Sequence, residues 1–134
     1  MTDHTRTFVV TPEMSAERHG NEGFPVLATP ALLGLFEKAA ITAMADRLSA
    51  GEGSVGTGAS LQHLAATPLG QTVTIVARIT AVEGKRVSFE LEAHDENEKI
   101  GTCSHDRFIV DIARFADRLA KKAANKAPDS PAQS

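Results

Sequence analysis

Between Thr29 and Ser49 the chain carries a helical segment with very little polar surface to offer to water. Thr29 is a candidate N-cap, and Pro30 suits a first helical turn. Gly51-Glu52-Gly53 stops the segment, which predicts a helix over residues 30–48. At about 100° per residue, only Lys38, Thr42, Asp46 and Ser49 align as a polar stripe. A helix of this kind must be covered around most of its circumference, by the rest of the fold or by another copy. Glu37 lies off the stripe, between Leu33 and Ile41 and on the side of Ala40, Met44 and Leu48. A carboxylate among apolar side chains has to be neutralised, paired or used. Glu37 is therefore the first candidate for chemistry. Its plainer reading is a buried carboxylate that caps backbone amides of a neighbouring strand.

The remainder of the chain supplies strands. Residues 6–12 read as a short strand ended by Pro12, and residues 13–28, with Gly20, Gly23 and Pro25, as an irregular loop. Residues 54–66 alternate, with Val55, Thr57, Ala59, Leu61, His63 and Ala65 on one face. Residues 71–82, 86–94 and 99–110 alternate too, joined by turns at Glu83-Gly84 and Asp95–Asn97. Residues 112–123 read as a short helix. Residues 1–124 then make one domain, and residues 125–134, rich in Pro, Ala, Ser and Gln, a disordered tail. The order β, long helix, four β predicts an α+β fold in which an antiparallel sheet wraps one long central helix. That is the layout of a hot-dog fold, and such domains generally pair at least as homodimers.

The composition narrows the function. At 134 residues the chain is long enough for one domain with a core. It has no Trp or Tyr, which disfavours base stacking, and its net charge of −3 disfavours a phosphate-backbone binder. A nucleic-acid partner is not expected. No apolar run reaches the roughly 20 residues of a membrane span, and the N-terminal residues lack the apolar stretch of a secretory signal. One cysteine, Cys103, excludes an internal disulfide and a cysteine-based metal site, and fits a reducing compartment. A cytoplasmic protein that needs no cofactor is the expectation.

His63 is the second candidate, since its strand alternation turns it toward the buried side. Taken alone it is more readily a core histidine bonded to a backbone carbonyl. A carboxylate and an imidazole within reach of each other would instead form an acid–base or nucleophile–base pair. Thr29, as well as a cap, could place a hydroxyl at the positive end of the helix. It lies eight residues before Glu37, about 12 Å along a regular helix, so the two could flank one substrate without touching. Gly56 and Gly58 interrupt a strand, as glycines do at a bulge or where backbone approaches a ligand. In the last strand, His105 and Arg107 share a face with Cys103 and oppose Asp106. A solvated edge is the expectation for His105 and Asp106, whereas Arg107 could hold a carboxylate or phosphate. No glycine-rich phosphate loop, serine nucleophile elbow or metal-spaced cluster is present.

Several segments in order, Gly51–Thr57, His63–Gly70, Val82–Arg86, Ala93–Asp95, Glu98–Gly101 and His105–Arg107, closely resemble the fluoroacetyl-CoA thioesterase family of hot-dog proteins. The resemblance runs from about Phe24 to Arg107. It implies that Thr29, Glu37 and His63 form the catalytic set, that Gly56 helps place the thioester carbonyl, and that Arg107 shapes the active-site surroundings. Phe24 matches an aromatic that closes a lid over the acyl group. The sequence departs from the family at that lid: a second aromatic is replaced by Asn21, Pro30 stands where the family has Gly, and the segment between Phe24 and Thr29 is one residue shorter. The implied activity is hydrolysis of a short acyl-CoA, with the acyl preference left open. A non-catalytic acyl-CoA or small-ligand binder is the alternative. A hot-dog hydratase would carry a closely spaced Asp and His near the helix start, and residues 24–49 hold no such pair.

Overall fold

The computed structural model describes residues 3–125. The tail expected over 125–134 lies outside these except for Asn125. Five strands form a single antiparallel sheet: β1 (Asp3–Val9), β2 (Glu52–His63), β3 (Thr72–Glu83), β4 (Arg86–His94) and β5 (Lys99–Asp111). Their order is β1-β3-β4-β5-β2, which leaves β1 and β2 as the edges. The long helix α1 (Thr29–Ala43) packs against all five strands, so the sheet curls around it as the sequence predicts. A second helix, α2 (Ile112–Ala124), leaves the end of β5 with the Asp111 side chain capping it through the Arg114 N–H.

The core lies between α1 and the concave face of the sheet. Leu32, Leu35, Phe36, Ala39, Ala40 and Ala43 recur at helical spacing and are buried, with Phe36 fully so. Val73, Ile75, Ala77 and Ile79 of β3, and Val87, Phe89, Leu91 and Ala93 of β4, meet them at the two-residue period of strands. The Glu83-Gly84 hairpin forms as expected, with Gly84 at a positive φ of 63°. Cys103 is buried in this layer, and desolvation pushes its thiol up to about 11, with Glu90 and Glu37 adding to the effect.

Three details depart from the sequence reading. First, α1 ends at Ala43, and a short 3₁₀ turn (Ala45–Arg47) carries the chain on, so the helix is shorter than 30–48. Second, Ala28 occupies the N-cap position and Thr29 is the first helical residue, so Thr29 does not cap. Pro30 already lacks an N–H, which reduces the donors a cap would have to satisfy. Third, the flank of α1 that carries Leu33, Glu37 and Ile41 is not enclosed. The Glu37 side chain is 43% exposed and Ile41 46%. This flank is only partly covered among the described residues, whereas the polar stripe is bridged by Arg6, which donates to the Lys38 carbonyl and the Thr42 hydroxyl.

Candidate active site

Two groups of polar side chains arise on the border between α1 and edge strand β2. The first joins the start of α1 to the end of β2. Thr29 Oγ1 lies 2.8 Å from His63 Nδ1. Both line a cavity of about 480 Å³ walled by Val26, Leu27 and Ala28 on one side and Leu64, Ala65 and Ala66 on the other. Asn21 and His19 also reach its wall. Burial lowers the His63 pKa below the ordinary 6.5, offset in part by a contact with the Ala65 backbone. The ring is thus neutral at pH 7. Its Nε2 is buried and has no hydrogen-bond partner among the described residues. A neutral imidazole with one nitrogen held by a hydroxyl and the other unpaired is equipped to take or give a proton.

The second group sits further back along α1. Arg107 Nη1 lies 3.9 Å from Glu37 Oε2, and the guanidinium is only 6% exposed. Burial lowers the Arg107 pKa, and the Glu37 carboxylate pulls it back up. Ser54 secures the guanidinium twice: its hydroxyl accepts from Arg107 Nε at 2.9 Å and its carbonyl from Nη2 at 3.0 Å. His105 Nε2 lies 3.2 Å from Arg107 Nη1, and His105 Nδ1 lies 2.7 Å from the Gly58 carbonyl. Both His105 and Arg107 are buried, which corrects the expectation of a solvated edge at His105. The reason is strand parity: Gly101, Cys103, His105, Arg107 and Ile109 all face α1. Asp106 faces the other way and accepts from the Ser88 hydroxyl at 2.6 Å.

Gly56 is where the two strands and the helix meet. A bulge between Gly56 and Gly58 inserts Thr57 without a partner in the β2–β5 ladder. The extra residue reverses the alternation, so Ser54 and Gly56 join Ala59, Leu61 and His63 on the inner face. Val55 and Thr57 leave the face on which the sequence reading put them. A Cβ at Gly56 would stand 3.2 Å from Glu37 Oε2, 3.3 Å from His105 Cε1 and 3.4 Å from Arg107 Nη1. Glycine lets the carboxylate and the guanidinium approach the strand this closely, and a Cβ here would push them back by a few tenths of an ångström.

Within one chain, then, Thr29 pairs with His63, and Glu37 with Arg107 beside Gly56. The two groups do not meet. They stand about 12 Å apart along the helix and roughly 20 Å apart along β2. Phe24 is 52% exposed and lies outside the lining of the cavity, while Asn21 is part of it. Sequence reasoning missed Ser54, whose inward position depends on the bulge. Among the described residues no three His, Cys, Asp or Glu side chains converge as a metal set.

Comparison with known proteins bears on this arrangement. The family model described as fluoroacetyl-CoA-specific thioesterase matches residues 10–113. The fluoroacetyl-CoA thioesterase of Streptantibioticus cattleyicolor is 40% identical over 124 residues, 88% of this chain and 89% of that one. A solved structure of a fluoroacetyl-CoA-specific thioesterase variant in complex with fluoroacetate and CoA superposes with a TM-score of 0.84. It is 38% identical and covers 88% of this chain and 97% of its own. A Thermus thermophilus member of the thioesterase superfamily superposes at 0.81 with 30% identity, over 93% of this chain and 95% of its own.

Proposed function

This chain belongs to the fluoroacetyl-CoA-specific thioesterase family of hot-dog hydrolases, an acyl-CoA thioesterase, and we propose that it works as a homodimer whose active sites each draw on both subunits. The observation that carries the proposal is the split within one chain between Thr29–His63 and Glu37–Arg107. Leu33 lies midway between Thr29 and Glu37, and Ser60 is near the midpoint between Gly56 and His63. A two-fold axis past these midpoints pairs the free edge of β2 with its own copy and brings the two open helix flanks together. In that register His63 stands opposite the partner's Gly56, with the bulge absorbing the odd residue. The partner's Glu37 then comes to the cavity holding Thr29 and His63. The unpaired Nε2 of His63 and the partly open Glu37 flank both gain something to face.

The proposed chemistry follows from those placements. The thioester carbonyl is held between the start of one helix and the Gly56 backbone of the other subunit, where N–H groups stabilise the developing oxyanion. The partner's Glu37 either attacks that carbonyl, expelling CoA thiolate and leaving a mixed anhydride that water then opens, or takes a proton from a water that attacks the carbonyl and breaks the C–S bond itself. Arg107, 3.9 Å away, aims the carboxylate. His63, oriented by Thr29, takes up the proton of the attacking water at its free Nε2, directly or through Glu37, and passes it to the CoA sulfur. Phe24 covers the acyl group from the loop before α1. The single buried cysteine suits a reducing compartment, and the reading puts the dimer in the cytoplasm with short acyl-CoA as substrate.

Thiol release from a panel of acetyl-, fluoroacetyl-, longer-chain and aryl-CoA tests this reading, and the buried Cys103 adds little background. Turnover should be greatest on short acyl groups. The lid carries Asn21 on the cavity wall and an exposed Phe24, so fluoroacetyl and acetyl should differ in kcat/KM by about tenfold or less, within the reach of a small change in apolar contact. Release from none of these thioesters would overturn the function. The pH profile offers a separate check. As pH falls through the lowered pKa of His63, the ring gains a proton and loses its accepting lone pair. The acid limb of kcat/KM should therefore lie below 6.5, and a limb above that value contradicts the role given to His63.

A further inference from the structure

We infer that His105 is a positioning residue for hydrolysis: as a neutral ring protonated at Nδ1, it fixes the Arg107 guanidinium in the orientation that serves Glu37. The inference rests on the reading of Glu37 as the reactive carboxylate. Its foundation is hydrogen-bond accounting. The Gly58 carbonyl, 2.7 Å from His105 Nδ1, can only accept, so Nδ1 carries the proton. Arg107 Nη1, 3.2 Å from His105 Nε2, can only donate, so Nε2 offers its lone pair. Both demands are met by one tautomer and by no other state of the ring. A doubly protonated His105 would set a second cation against Arg107 and leave Nη1 without its acceptor.

The guanidinium has five N–H donors. Ser54 takes one from Nε and one from Nη2, and His105 takes one from Nη1. The other hydrogen of Nη1 is left on the side where Glu37 Oε2 stands at 3.9 Å. Ser54 alone holds one edge of the plane. His105 holds the nitrogen nearest the carboxylate, so it decides how that nitrogen is presented. Phe89 stacks against the ring, with centroids 6.1 Å apart, and keeps it from turning. Gly56 leaves the space through which Glu37 reaches this pair. The proton on His105 thus sets the aim of Arg107, and Arg107 sets that of the carboxylate.

Three substitutions separate this role from simple packing. His105→Leu removes both nitrogens, His105→Gln returns an acceptor near the Nε2 position, and His105→Asn returns only a donor near Nδ1. The Leu variant should lose about 10–100-fold in kcat with little change in KM, the scale expected when a reactive group is displaced by about 1 Å. Gln should recover most of that loss, and Asn should not. Equal losses in all three, tracking their thermal stability, or an unimpaired Leu variant, would overturn the inference. The ¹⁵N spectrum of histidine-labelled protein gives a readout that needs no substrate. An unprotonated His105 Nε2 whose shift responds to Arg107→Leu is expected, and a protonated Nε2 overturns the assignment even if Glu37 proves essential. Conversely, activity that survives Glu37→Gln would remove only the functional reading, and the nitrogen spectrum would still decide the state of His105.

Discussion

Glu37→Gln should reduce kcat for short acyl-CoA hydrolysis by about 10²–10⁴-fold while the protein keeps its fold, the range lost when a positioned acid or base is removed. Glutamine has nearly the same shape, so the close packing against Gly56 is preserved. What disappears is the negative charge and, with it, the ability to attack a carbonyl or accept a proton from water. Folding should survive with a modest loss of stability. The Glu37 side chain is 43% exposed and its ion pair with Arg107 spans 3.9 Å, which keeps the loss small, but the buried guanidinium gives up its counter-charge. Arg107 would keep both bonds to Ser54 and its bond to His105. Thiol-release kinetics alongside a thermal melt measure the two effects together. A variant within threefold of the parent rate would remove Glu37 from the chemistry, whatever its position.

Why Glu37 stood out in the sequence, and what the sequence could not say about it, have one physical origin. The helical period placed it away from the polar stripe, and that much holds. Period alone does not tell a flank buried in the core from one left open, because both are apolar. The chain buries the Leu32, Phe36 and Ala40 side and leaves Glu37 and Ile41 largely open, with Leu33 half-buried at the border of the core. The succession of elements along the chain and the hairpins joining the last three strands were legible because alternation and turn residues are local signals. The inner face of β2 was not. One bulge at Thr57 reverses the parity of everything before it, and the two flanking glycines mark an irregularity without fixing where it falls. With the parity wrong, Ser54 has no reason to be noticed. For β5 the alternation puts His105 on one face with Cys103 and Arg107, yet its polarity argues for solvent. Its apolar neighbours on the same face, Cys103 and Ile109, were the signal that it points inward.

The split between the two polar groups yields the sharpest prediction, because it concerns which chain supplies which residue. Glu37→Gln and His63→Ala homodimers should each be nearly inactive. A mixed dimer, isolated through a different tag on each chain, would have one site carrying both substitutions and one site carrying neither. About half of the parental turnover per dimer should return, as two-fold symmetry requires when each site borrows from both subunits. If both residues of a site came from the same chain, each site of the mixed dimer would hold one defect and no activity would return. The geometry argues against that second outcome. Glu37 is tied to Gly56 and Arg107, while His63 is tied to Thr29 at the far end of both β2 and α1. Closing roughly 20 Å of strand within one chain would require α1 to slide along the sheet and drag Leu32, Phe36 and Ala40 out of the core. Association through the β2 edge asks for no such movement: among the described residues the edge is unpaired and the helix flank partly open, and both are already in place. A monomer of full activity in solution, or a mixed dimer as dead as its parents, would end the two-subunit site.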